Sequence, residues 1–359
     1  MIVKRWIQAI GTGGQDTRNL SYDEAFEAAR ELALGHSTDA QCAAFLMALC
    51  MKGESIDELK AFIDVFRGCS LSYQSSRNSL LSAGPAEGRH YFPVTLPVSL
   101  LLASVGFSQV LHGSDALPPR QGIAMKEILE SFGVSLELPM KAWEALFFQL
   151  HIGFLPIDQL CPPIGRLKQV REQIGLKTIM NTVEKVINPV RSTNMIIGVN
   201  GKQAMASLIP ISISSGFQSV YIVQGMEGSE DLPIYQNSMI HIVTPWGDES
   251  RLVVPQKFGF HSEPLVPLGK ADQLSLLQRV MSGEDSKEVK RERDHVIFNT
   301  GLRLTWFDKV GSYEEGFQLA ESLLKRKEAQ KVMQRWVEQS HRWRNQTQPL
   351  SSDSSEHIG

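Results

Sequence analysis

Near the start of the chain apolar side chains recur every three to four residues. Phe26, Ala29, Leu32 and Ala33 form one stripe, Ala44, Phe45, Met47, Ala48 and Leu49 a second, and Leu59, Phe62, Ile63 and Phe66 a third. That period predicts helices with one buried face. Each stripe follows a hydroxyl residue that has Glu or Gln three positions on: Ser21 and Glu24, Thr38 and Gln41, Ser55 and Glu58. Such a pair satisfies backbone N–H groups that the first helical turn leaves without partners. Gly35 and Gly53 stand where these helices should end, since glycine readily takes the left-handed turn that closes a helix.

From Leu80 the pattern changes to short β-rich runs at 109–112, 193–199, 219–223 and 238–243, with helical segments at 122–132 and 203–215 between them. This alternation predicts a parallel sheet with helical crossovers. Residues 249–255 read as a further strand, turned back on 239–243 through Thr244-Pro-Trp-Gly-Asp248. The helical run 166–174 interrupts the β pattern, Ser312 opens a last long helix ending near Ser340, and a polar, Ser-rich tail follows from Asn345. The expected fold is α/β (α+β mixed), with a small N-terminal helical bundle and a larger α/β domain whose mostly parallel sheet is flanked by helices. The boundaries are 1–75 for the bundle, with 160–188 returning to it, 76–159 and 189–340 for the α/β part, and a disordered tail at 341–359.

Charge and cysteine usage narrow the class. Lys plus Arg is 36 against 39 Asp plus Glu, a net charge of −3, so nucleic-acid binding would need a local basic patch. Cys42, Cys50, Cys69 and Cys161 form no CxxC pair and read as reduced, mostly buried thiols of a cytoplasmic protein. The apolar stretch 96–107 contains Pro97, Ser99 and Ser104 and is too short to span a bilayer. The N-terminus carries Lys4, Arg5 and Trp6 with no long apolar run behind them, unlike a signal peptide. No membrane partner is expected.

Four segments, taken in order, are distinctive. They are the bundle at 20–62; Ser82-Ala-Gly-Pro-Ala-Glu-Gly88, followed after an apolar helix by His112-Gly113; Val170-Arg-Glu-Gln-Ile-Gly-Leu-Lys-Thr-Ile-Met-Asn181 with Asn188-Pro189; and Val223-Gln-Gly-Met-Glu-Gly-Ser-Glu-Asp-Leu232. In this order the chain resembles the anthranilate phosphoribosyltransferase family (glycosyl transferase family 3). Its Glu227-to-Pro233 stretch is similar to a divergent branch, some members of which are thought to bind nucleic acid. The resemblance implies transfer of a phosphoribosyl group from phosphoribosyl pyrophosphate to an aromatic amine, as in tryptophan biosynthesis, with Mg²⁺ as cofactor and a homodimer formed through the bundle. Such a reaction passes through a cationic sugar, so the protein must hold phosphates, neutralise the leaving group and position an amine. On the matching positions the resemblance makes Gly84, Gly88, Arg89, Thr95, His112, Gly113 and Arg171 substrate-binding and Glu227, Glu230 and Asp231 the Mg²⁺ ligands. It assigns no catalytic side chain.

The match is broken where the phosphates should sit. Pro85, Ala86 and Glu87 stand in the family's glycine-rich loop, Leu111 replaces its lysine, Ser114 replaces its asparagine, and Thr95 is the only hydroxyl between Pro93 and Pro97. Charge-assisted hydrogen bonds are worth about 1.5–3 kcal/mol each, so phosphate affinity should fall unless Arg89 and Arg120 restore part of it. Five residues stay open to two readings: Glu227, Glu230 and Asp231 as metal ligands or a solvated acidic turn, His112 as a ligand contact or a satisfied turn residue, Arg171 as a substrate contact or part of a wet helix face. Two functions follow: a phosphoribosyltransferase-type enzyme with altered or weakened activity on phosphoribosyl pyrophosphate or another phosphorylated sugar or nucleotide, or an inactive relative that binds nucleotide or nucleic acid. The second rests on Lys325, Arg326, Lys327, Lys331, Arg335, Arg342 and Arg344 interleaved with Trp336 and Trp343, a pattern that can hold backbone and bases or be a solvated helix with its tryptophans turned inward.

Overall fold

The computed structural model describes residues 3–13 and 17–347. Seven strands, β1 (Leu80–Ala83), β2 (Gln109–Gly113), β3 (Ile152–Pro156), β4 (Asn194–Gly198), β5 (Ser219–Val223), β6 (Ser238–Thr244) and β7 (Gly247–Val253), form one sheet in the order β3-β2-β1-β4-β5-β6-β7. The first five are parallel, and β6 and β7 add an antiparallel hairpin at one edge. Neighbouring residues on a strand face opposite sides of a sheet. Leu81, Val110, Ile197 and Ile222 accordingly point into a core shared with the N-terminal helices. Leu80, Leu111, Ile196 and Tyr221 point into a second core with Val296, Phe298 and Trp336. Both faces are covered, which is why the parallel strands are apolar without alternation.

The bundle consists of helices Val3–Gly11, Tyr22–Leu34, Asp39–Lys52 and Ile56–Gly68. Ser21, Thr38 and Ser55 each form the reciprocal cap expected of them, and Gly35 closes its helix at a φ of 74°. The helix at Val3–Gly11 lies outside the expected set; Trp6, 2% exposed, anchors it. Helices Pro162–Arg166, Lys168–Ile174 and Ile179–Val186 pack back onto this bundle.

The last long helix is two, Tyr313–Lys325 and Glu328–Thr347, broken where Lys327 takes a φ of 61°. The second carries helix beyond Asn345; the rest of the expected tail lies outside the described residues. Trp336 is 2% exposed and Trp343 packs on the same core, so both tryptophans turn inward and are not a stacking surface. Among the described residues no helix is long and apolar enough to cross a membrane.

Candidate functional site

Ligands of open parallel sheets bind outside the carboxyl ends of the strands, and here two loops converge on those ends. Gly198 closes β4, and a Cβ there would lie 1.9 Å from the carbonyl carbon of Ser229. Only glycine admits the 226–231 loop so close. That approach drives Glu230 and Asp231 fully inside, each 0% exposed. Ser82 Oγ donates to Glu230 Oε1 at 2.6 Å, and Arg89 reaches Glu230 Oε2 at 3.3 Å. Arg89 also donates to Asp231 Oδ2 and, at 2.7 Å, to Thr95 Oγ1. Arg303 donates to Asp231 Oδ1 at 3.2 Å, and Thr95 N donates to Asp231 Oδ2 at 3.1 Å. Asp231 thereby caps helix Thr95–Ser104, where a negative charge is favoured.

Burial would push the Glu230 carboxyl up, but the Arg89 and Arg303 guanidinium groups hold it below the usual carboxylate range. Burial likewise opposes the charge on Arg89, and Asp231 and Glu230 outweigh it.

These residues do not fit a metal ion. Every oxygen of the two carboxylates already accepts a hydrogen bond. A divalent cation at the pair would also face two guanidinium charges, at about 4 kcal/mol per unit-charge pair 4 Å apart. Among the described residues no three His, Cys, Asp or Glu side chains are grouped to hold one. Glu227, the third expected ligand, takes a φ of 54° and accepts from the amides of His90 at 2.8 Å and Tyr91 at 3.2 Å.

The rebuilt loop is held by main chain. Gly88 has a φ of 81°, and Arg89 forms an antiparallel bridge with Ile123. A Cβ on Gly122 would meet the Arg89 carbonyl oxygen at 1.9 Å. The Arg89 side chain therefore points at the acidic pair and away from solvent, 4% exposed. Arg120 lies on the surface against Glu172 at 3.3 Å. Neither arginine lines the cleft or the small cavity at the strand ends. Leu111, where the family has a lysine, is a core residue.

Beside this closed cluster lies an open cleft of about 450 Å³ between the bundle and the strand ends. Gly53, Ser55 and Leu59 of the bundle line it, together with Asn181, Thr182, Lys185 and Asn200. Lys185 Nζ donates to the carbonyls of Gly198 and Gly228, both at 3.1 Å. Burial lowers its pKa to about 8, with Glu87 and Glu230 acting the other way. Glu87 accepts from Asn181 at 3.2 Å and pairs with Lys177 at 3.0 Å. Glu54 and Glu227 also line the cleft.

Gly84, His112 and Gly113 border a separate cavity of about 20 Å³, which Lys185 also lines. His112 is 2% exposed and neither ring nitrogen has a hydrogen-bond partner; burial lowers its pKa to about 4. The cavity has room for about one water. Arg171 is buried against Glu184 and reaches Asn181 at 3.4 Å; it touches a residue that lines the cleft but does not line it itself. Gly84, His112 and Gly113 are thus together, Gly88, Arg89 and Thr95 belong to the closed cluster, and Arg171 stands apart. Sequence reasoning missed Lys185 and gave Asn181, the last residue of the 170–181 segment, no role of its own. The available signal was a lysine beside Val183 and Val186, on a helix whose neighbours are buried.

The chain matches the model of the glycosyl transferase family helical bundle domain over residues 4–69 and that of its a/b domain over residues 84–330. It is 27% identical to an anthranilate phosphoribosyltransferase from Persephonella marina, over 94% of this chain and 99% of that one. Another from Citrifermentans bemidjiense is 26% identical, over 90% and 95%. Among solved structures, anthranilate phosphoribosyltransferase from Thermus thermophilus superposes with a TM-score of 0.78 at 24% identity, covering 95% of this chain and 99% of that one. The Saccharomyces cerevisiae enzyme in complex with phosphoribosyl pyrophosphate and Mg gives 0.80 at 15% identity, covering 95% and 98%. At those identities the structures speak for the fold, and the two family models, in order and over most of the chain, place it: this protein belongs to the glycosyl transferase family that joins a helical bundle domain to an a/b domain.

Proposed function

We propose that this protein is an anthranilate phosphoribosyltransferase-like glycosyltransferase, transferring a phosphoribosyl group from phosphoribosyl pyrophosphate, or acting on a related phosphorylated sugar or nucleotide, toward an aromatic amine with altered or weakened activity. The observation that carries this reading is the cleft at the parallel strand ends. Lys185 and Lys177 supply cations for a phosphorylated ligand, and Asn181, Thr182 and Asn200 supply hydrogen bonds. Glu87 and Glu227 set negative charge where a ribosyl group would turn cationic, the arrangement that transition-state stabilisation needs. His112, with two unmet ring nitrogens, is the candidate to contact ligand through the small cavity if the Pro85–Ala86 turn yields. Mg²⁺ belongs to this reading as the counter-ion of a diphosphate, brought in with the ligand and not held by Glu227, Glu230 or Asp231. The homodimer through the bundle and a cytoplasmic location belong to it as well.

The second reading, a binding protein without transfer, is favoured by the closed state of Glu230 and Asp231. Nucleic acid is the weaker ligand for it, given the net charge of −3 and the inward tryptophans. Calorimetry with phosphoribosyl pyrophosphate and Mg²⁺, paired with a fluorescence assay of anthranilate consumption, separates the two. Binding weaker than micromolar with slow turnover is expected. Rapid turnover would refute the weakened activity, and binding without any turnover over days would establish the second reading.

A further inference from the structure

The closed cluster has a charge pattern with a consequence of its own. Two carboxylates face two guanidinium groups, and the four charges cancel inside the protein. Arg89 is held for this part by more than its side chain. Its N–H and carbonyl both bond to Ile123, at 3.0 and 3.1 Å, and Gln273 Nε2 donates to the same carbonyl at 2.8 Å. Gly88 and Gly122 let the two segments approach closely enough for that bridge, since a Cβ on either would strike the other segment's backbone. An arginine so placed is a fixed part of the site and not a gate.

We infer that Arg89 is a built-in cation: its guanidinium takes the charge-neutralising place between Glu230 and Asp231 that a divalent metal would otherwise fill, so that this pair binds no metal ion. Thr95 fits that role, since it accepts from Arg89 and lies 2.7 Å from Glu230 Oε1 and 2.9 Å from Asp231 Oδ1. A guanidinium also suits the place chemically, because it is always charged and spreads its donors in a plane that can serve both carboxylates. Removing it leaves a buried net negative site that a small hard cation can enter.

The test needs no substrate, so its outcome is independent of whether the protein transfers a phosphoribosyl group. Mn²⁺ is titrated into the full chain and free ion is read by electron paramagnetic resonance. The wild type is expected to take up Mn²⁺ only weakly, with no change in Glu230→Gln. Arg89→Ala is expected to gain one site per chain, tighter by at least about tenfold, a lower bound well inside the loss of one unit-charge repulsion, and to lose it again in Arg89→Ala/Glu230→Gln. Where Arg89→Ala does not fold, Arg89→Gln, which keeps donors and drops the charge, carries the same comparison. A stoichiometric Mn²⁺ site in the wild type that Glu230→Gln abolishes would overturn the inference. So would a folded Arg89 variant that gains no site.

Discussion

Around Glu230 and Asp231 each charge meets its opposite inside the protein, whereas around Lys185 the partners are main-chain carbonyls and an open cleft. Both groups sit at the same ends of the parallel strands. The first is dry, closed and neutral, an arrangement that fixes loop to sheet. In the second a cation is held by carbonyls that carry no formal charge, so it retains charge to offer an incoming anion. The same strand ends thus support a structural cluster and a ligand-ready one, and what separates them is whether the chain supplies the counter-charge itself.

Breaking the closed cluster should have the largest effect. Asp231→Ala strips Arg89 and Arg303 of a shared partner and uncaps helix Thr95–Ser104. Removing one side of a buried ion pair typically costs about 3–5 kcal/mol, and urea unfolding should show a loss of that size. A loss below about 1 kcal/mol would mean that water reaches the cluster. Gly122→Ala comes next, because its new Cβ would strike the Arg89 carbonyl oxygen. Overpacking of this kind costs about 1–3 kcal/mol, read as a lower Tm, and an unchanged Tm would show the 88–89 backbone free to move.

The contrast also explains what the amino-acid order made legible. Ser21, Thr38 and Ser55 announce their helices because a capping box is complete within four residues. The β6–β7 hairpin is equally local, its turn lying between its strands. β1, at Leu80–Ala83, is too short to display a period, and β3, at Ile152–Pro156, carries Gly153 and ends on Pro156, residues that strands disfavour. The inward turn of Arg89 depends on a partner more than a hundred positions away, and in sequence it stands beside a loop that called for phosphate donors. Lys185 was hidden for a similar reason, since Gly198 and Gly228, which cradle it, come from two other segments. Lys327 breaks the last helix at a non-glycine positive φ, for which neither composition nor period gave a sign.

Within the cleft the expected effects are smaller and fall on binding. Lys185→Met should weaken binding of a phosphorylated sugar about tenfold, the lower end for one charge-assisted bond, while stability changes by about 1 kcal/mol or less. The pH dependence carries the signature. With the Lys185 pKa lowered from 10.5 to about 8, the ammonium is present below that value and wild-type binding should fade as pH rises through it. The folded pKa lies below the unfolded one, so the unfolded chain holds the proton more tightly and stability should rise with pH between about 8 and 10.5. Lys185→Met should lose both trends. Equal pH profiles for wild type and variant, followed by calorimetry and urea titration, would remove Lys185 from the site.

The smallest effect tests the sign of the cleft as a whole. Glu87 occupies a position where the family's loop has glycine, and it sets a carboxylate beside Lys177 and Asn181. Lys177 is half exposed, so that pair contributes little to stability, and Glu87→Gln should leave unfolding nearly unchanged. The amide keeps an oxygen for Asn181 and drops the negative charge that an incoming phosphate would meet. At cleft distances in high dielectric one charge is worth about 0.5 kcal/mol, so at a pH well below the Lys185 pKa, where Lys185 keeps its proton without Glu87, phosphate affinity should rise about two- to threefold and the gain should shrink in high salt. Should affinity fall instead, Glu87 touches the ligand as an acceptor, and the cleft selects for a hydroxyl or amine where the phosphate was expected.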